Sequence, residues 1–183
     1  MGFLQILVKT IDGINEQIGR AVAWLALFMV LTQFVVVVMR YVFGLSVLVM
    51  QESIWFMHSI IFLVAGGYTL LHNGHVRVDI LYGNVNERKK AIIDIIGVLA
   101  ILLPVCVATW WVSWEYVANA WAIKEGSIEV SGIQGVYLLK SCILLFAGLI
   151  ALQGISLLIK SCWIVAGRAD LARTVDDPQE HGL

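Results

Sequence analysis

Apolar positions run through this chain in four long blocks, separated by short polar stretches. Residues 21–39 contain no charge. Residues 47–71 contain one acid, Glu52, near their start; residues 91–118 hold Asp94 and Glu115 near their ends; residues 136–159 have Lys140 near their start. A helix that crosses a hydrocarbon layer of ~30 Å needs about 20 predominantly apolar residues, and each block is long enough. Strands of a membrane barrel would instead read as segments of about 10 residues alternating in hydrophobicity. The pattern predicts an all-α integral membrane protein with four transmembrane helices, at residues 19–40, 47–71, 91–118 and 136–160, in a single membrane domain spanning 1–168. The third block exceeds one crossing, so it is expected to tilt or project into water, and Pro104 in its middle predicts a kink.

Ahead of the first block, Phe3, Ile6, Leu7, Ile11, Ile14 and Ile18 recur at helical spacing, with Gln5, Lys9, Asp12 and Glu16 on the opposite arc. Residues 3–18 therefore read as an N-terminal amphipathic helix lying in the membrane interface. The segment lacks the basic n-region and small-residue cleavage site of a signal peptide, carries acids and leads into a true span, so it is expected to stay on the mature protein. Such an arm either packs on a partner or lipid head groups, or only anchors the chain to the surface. Residues 169–183 are polar and acidic and read as a cytoplasmic tail that frays into water.

Basic residues are shared unequally between the two sides of these spans. Lys9, Arg20, Arg77, Arg88, Lys89, Lys90, Lys160, Arg168 and Arg173 fall on the side of the termini, against Arg40, Lys124 and Lys140 on the other. Because cytoplasmic segments carry the excess of Lys and Arg, both termini and the second loop are expected to be cytoplasmic. Trp110, Trp111, Trp114, Tyr116 and Trp121 cluster where the third helix would leave the far face, as an interfacial aromatic belt does. Composition agrees: 60% hydrophobic and 14% charged residues are more apolar surface than a soluble domain of 183 residues can hide. The balance of Lys+Arg 12 against Asp+Glu 13 leaves no nucleic-acid footprint. Cys106, Cys142 and Cys162 lie in apolar runs without a CxxC spacing, which suggests neither a disulfide framework nor a zinc site.

The chain contains no GxxxxGK[ST], HExxH or GxSxG, so an enzyme is not indicated. His72-Asn73-Gly74-His75 followed by Asp79 is the one metal-like constellation, but two histidines flanking a Gly at a helix end more often cap and pack a loop. His58 and His72 are about 21 Å apart on one predicted helix, so a single haem cannot bridge them. His58, mid-span, and Gln33, in the outer half of the first span, are polar groups at depth and therefore functional candidates. A proton relay through His58 needs titratable neighbours at its depth, which the sequence does not offer; the expectation is a neutral imidazole hydrogen-bonded across a helix interface. Arg40 and Glu52 flank a short turn, so an Arg40–Glu52 pair is expected to hold that hairpin shut or to face a partner. Glu52, Trp55, Ser59 and Gly66 share a stripe on the second span, and Ala147, Ala151 and Gly154 on the fourth, where small residues permit close helix approach. Paired broken helices, an inverted repeat and a charged midplane cavity, the marks of a substrate pathway, are not apparent in the sequence.

Several short runs together carry a resemblance. Arg40-Tyr41-Val42-Phe43 closes the first span, Gln51-Glu52 followed by Trp55 opens the second, and Gly66-Gly67 precedes the loop His72-Asn73-Gly74-His75-Val76-Arg77-Val78-Asp79. Later come Glu129-x-Ser131, Leu139-Lys140 and Leu152-Gln153-Gly154-Ile155-Ser156. In this order, from the arm to Ile159, the chain resembles the small (Q-type) membrane subunit of tripartite ATP-independent periplasmic (TRAP) transporters, in the dicarboxylate and mannitol/chloroaromatic small-permease family. One departure is Gln51, where many relatives carry a second acid before Glu52.

The resemblance implies a multi-pass protein of the bacterial inner membrane that serves sodium-driven import of a small organic anion or polar solute. In this family the large TRAP membrane subunit carries the sodium and substrate sites and moves like an elevator. The small subunit braces its immobile scaffold, and a periplasmic substrate-binding protein docks on the pair. Carried onto this chain, Glu52, Trp55, His58, Ser59, His75, Arg77 and Asp79, with the arm, become candidate contacts for the large subunit or for interfacial phospholipid. Lys124, Glu125 and Glu129 become a candidate docking surface for the binding protein, or else lie in a solvated loop. No cofactor or metal is expected on this chain. The alternative reading is a membrane-anchor subunit of a haem or quinone redox complex.

Overall fold

Among the described residues, seven α-helices and one π-helical turn follow one another: α1 (Phe3–Val42), α2 (Leu48–Val64), α3 (Gly66–Leu71), α4 (Glu87–Gly97), the π turn (Val98–Leu102), α5 (Leu103–Ala122), α6 (Val136–Val165) and α7 (Ala169–Asp176). This is a computed structural model that describes residues 2–75 and 85–176, with side chains as far as Ala172. Among the described residues, Phe3–Val42, Leu48–Leu71, Glu87–Ala122 and Val136–Val165 are long and apolar enough to cross a membrane.

The segment expected to form a separate interfacial arm is the first part of α1, which continues without a break for 40 residues, or about 60 Å. Its burial is also the reverse of the usual amphipathic arrangement. Phe3, Leu4, Ile6 and Ile14 face outward, while Asp12 and Asn15 are buried beside Val8 and Ile11. Residues 169–176, expected to fray, instead form α7, and its Ala172 is buried. Pro104 acts one turn upstream of itself: lacking an N–H and crowding the carbonyl four residues back, it is preceded by the π turn of Val98–Leu102.

Helix α6 is the centre of the bundle and touches every other described helix. Its small residues allow this: Ala147 and Gly154 are buried, and a Cβ on Gly154 would lie 2.6 Å from Leu102 Cδ2. Gly67 is the tightest crossing, where a Cβ would lie 2.0 Å from Asn15 Oδ1 and 3.2 Å from the Leu149 carbonyl. Glycine lets α1, α3 and α6 meet there. The bundle turns large apolar side chains outward, among them Phe28, Phe34, Phe62, Ile101, Val107 and Val112, as a surface made for lipid or a membrane partner does.

Candidate functional site

Two polar stripes, one on α1 and one on α6, close on each other at the end of the bundle where α1 begins. Asp12, Asn15, Glu16 and Gly19 follow at three- and four-residue spacing, as do Gln153, Ser156 and Lys160, so each set lies along one helix face. The Asp12 carboxylate accepts from Gln153 Nε2 at 2.9 Å and Ser156 Oγ at 2.7 Å, both on Oδ1, and pairs through Oδ2 with Lys160 Nζ at 2.8 Å. Asn15 Nδ2 extends the chain by donating to Gln153 Oε1 at 2.9 Å and to the Ile11 carbonyl at 3.3 Å. Its Oδ1, pressed over Gly67, has no hydrogen-bond partner among the described residues. Asp12, Asn15, Gln153 and Ser156 are all buried, and removing one partner from such a network strands the others.

One turn further along α1, Glu16 takes Arg20 Nε and His72 Nε2 on its two oxygens, each at 2.7 Å. Tyr68 lies against His72, ring centroids 4.3 Å apart, and over Gly19, where a Cβ would meet its ring at 2.2 Å. His72 and Asn73 end the helix: Asn73 takes φ +54°, its N–H donates to Leu70, and that of Gly74 donates to Thr69, the paired bonds of a Schellman cap. His72 therefore serves the helix end and the arm. His75 is described as exposed, while Arg77 and Asp79, the rest of the expected loop site, lie outside the described residues.

At the opposite end, Glu52 does not form the expected pair with Arg40. Its Oε1 accepts from Ser127 Oγ and its Oε2 from the backbone N–H of Ile133 at 2.6 Å. It stands one turn inside α2 and is buried, facing the 123–135 loop rather than back across the hairpin. Both carboxylate oxygens thus tie down a loop about 80 residues away in sequence. Of the three charges expected to form a docking surface, Glu125 pairs with Lys140, whose ammonium also lies 3.9 Å from the centre of the Tyr116 ring. Lys124 sits at φ +47° as the left-handed residue ending α5. It is exposed, as is Glu129 at the tip, between Ile128 and Val130, which are 102% and 100% exposed.

Midway along the bundle the expected His58 hydrogen bond across a helix interface does not form. The imidazole is exposed, stacks on Phe62 one turn away with centroids 6.4 Å apart, and makes no hydrogen bond within the described residues. It lines an open groove of about 500 Å³ between α1 and α2, together with Gln33, Trp55 and Ser59. Trp55, expected on one stripe with Glu52, is 69% exposed while Glu52 is buried.

Sequence reasoning did not find the Asp12–Lys160 clasp or the exposed pair Ile128 and Val130. The signal for the clasp was present as matching polar spacings on two distant segments, 12–15–16–19 and 153–156–160. No comparable signal marked the loop tip.

Searches of curated proteins and of solved structures each returned no match. A family model does match, over residues 29–162, and it describes the tripartite ATP-independent periplasmic transporters, DctQ component. The matched range starts inside α1, so residues 3–18 of the arm lie outside it, although the sequence resemblance extends over them. With a match over more than half its length and four helices able to cross a membrane, the chain belongs to the small permease (DctQ) component family of TRAP transporters.

Proposed function

We propose that the chain is the fixed membrane footing of a sodium-driven TRAP uptake system. It braces a large membrane subunit, which holds the sodium and solute sites and slides during transport, and it helps a periplasmic substrate-binding protein to dock. The solute is a small organic anion or polar molecule, and both termini face the cytoplasm, the side favoured by the nine basic residues. The observation that carries the reading is the match over residues 29–162 to a component of a tripartite transporter.

The use the chain makes of its polar groups supports a bracing role. A sliding domain needs a stiff partner, and Asp12, Gln153, Ser156 and Lys160 are engaged in locking α1 to α6. Glu52 likewise fixes the outer loop, which then offers Ile128, Glu129 and Val130 to a docking protein on a defined base. Deleting this chain from the host is expected to abolish uptake of the solute while leaving solute binding by the secreted protein unchanged. Uptake at the wild-type rate in the deletion strain would sink the proposal.

A further inference from the structure

The groove between α1 and α2 is lined mainly by apolar side chains, yet it holds Gln33 and His58 at a depth where none of the described residues satisfies them. At 1.5 Å per residue, Gln33 stands about 14 Å from the Val42 end of α1 and His58 about 15 Å from the Leu48 end of α2, which puts both near the middle of a ~30 Å layer. Both side chains are exposed, and neither has a hydrogen-bond partner among the described residues. A lipid tail offers neither donor nor acceptor, so an open imidazole and carboxamide at this depth are costly. By contrast, the carboxylate of Asp12 and the amide of Gln153 are satisfied within the bundle.

We infer that this groove seats one transmembrane helix of the large membrane subunit, and that the helix presents a hydroxyl or carboxamide side chain at the level of Gln33 and His58. Such a group both donates and accepts, which matches an imidazole and an amide whichever ring nitrogen carries the proton. Ser59, beside His58, is small enough to let a helix backbone approach, and Trp55 supplies an exposed indole for the incoming helix to bury. A second copy of this chain docked about a two-fold axis would bring both Trp55 indoles into the one cleft. Membership of a tripartite assembly favours the larger partner.

The inference rests on the proposed function, and one experiment separates the two. The full-length tagged chain is co-expressed with the large membrane subunit, purified in detergent, and the affinity of the pair is read by fluorescence energy transfer on dilution. The variant Q33L/H58L makes the groove apolar at nearly constant bulk. Each hydrogen bond between helices in lipid is worth about 3-fold to 20-fold in affinity, so a loss of about 10-fold or more is expected. Helix content and thermal unfolding of the chain alone should be unchanged or improved, because leucine suits lipid, and H58Q should keep most of the affinity. If Q33L/H58L fails to fold, S59W leaves both polar groups in place, fills the groove and carries the same expectation. Wild-type affinity in these variants, alongside a wild-type chain that binds, overturns the inference in favour of lipid. Loss of self-association in the chain alone overturns it in favour of a second copy. A wild-type chain that does not bind the large subunit overturns the proposed function itself.

Discussion

Replacing Asp12 by alanine should release the first part of α1 from α6. The carboxylate holds three partners, Gln153, Ser156 and Lys160, and the side chains of Asp12 and Lys160 are only 10% and 12% exposed. Removing one member of a buried ion pair costs about 3–5 kcal/mol, because the remaining charge is left without a counter-charge. The Lys160 stem can carry its ammonium toward the nearby end of α6, and hydrogen bonds in lipid find substitutes more readily than in a soluble core, so the lower figure of ~3 kcal/mol applies. If that energy holds residues 3–18 against the bundle, their amide hydrogen exchange in lipid nanodiscs should accelerate about 100-fold, with α5 unchanged as the internal control. D12A/K160M removes both charges and should exchange more slowly than D12A alone. Acceleration below about 3-fold in D12A, or single-variant effects that simply add in the double variant, would refute the clasp.

Three further outcomes follow from named contacts. G67A drives a Cβ to within 2.0 Å of Asn15 Oδ1 and 3.2 Å of the Leu149 carbonyl, so it should destabilise the bundle by about 1–3 kcal/mol in thermal unfolding; N15A should recover part of that loss. E52A removes both acceptors that fix Ser127 and Ile133, and should open residues 127–133 to limited proteolysis at several times the wild-type rate; unchanged cleavage would show that the loop is held by other contacts. I128E/V130E alters two fully exposed side chains, so unfolding should match wild type while affinity for the substrate-binding protein, measured by surface plasmon resonance, falls about 10-fold; unaltered affinity removes the loop tip from the docking surface.

The helices and their approximate ends were legible because a membrane span announces itself by length and apolarity within one segment. What escaped depends on pairing between distant segments. The spacing puts Asp12 and Glu16 on the polar arc of an interfacial helix, but Asp12 turns into the bundle beside Val8 and Ile11 while Phe3 and Ile6 face outward. The same spacing predicts a separate arm where α1 is continuous, since a polar arc satisfied by Gln153, Ser156 and Lys160 gives the chain no reason to bend. Arg40 and Glu52 are near in sequence, which made a pair plausible, but the direction of Glu52 on α2 gives it to Ser127 and Ile133 instead. For His58 the depth was legible but not the face, and the face is what separates an internal hydrogen bond from an open groove.

The proposed footing role requires that the large subunit does not transport without this chain. Its most direct test is solute uptake into proteoliposomes under an inward sodium gradient, with the substrate-binding protein supplied outside and the large subunit reconstituted with or without this chain. Uptake is expected only when the chain is present, with little or none when D12A takes its place. Uptake at the full rate by the large subunit and binding protein alone would contradict it.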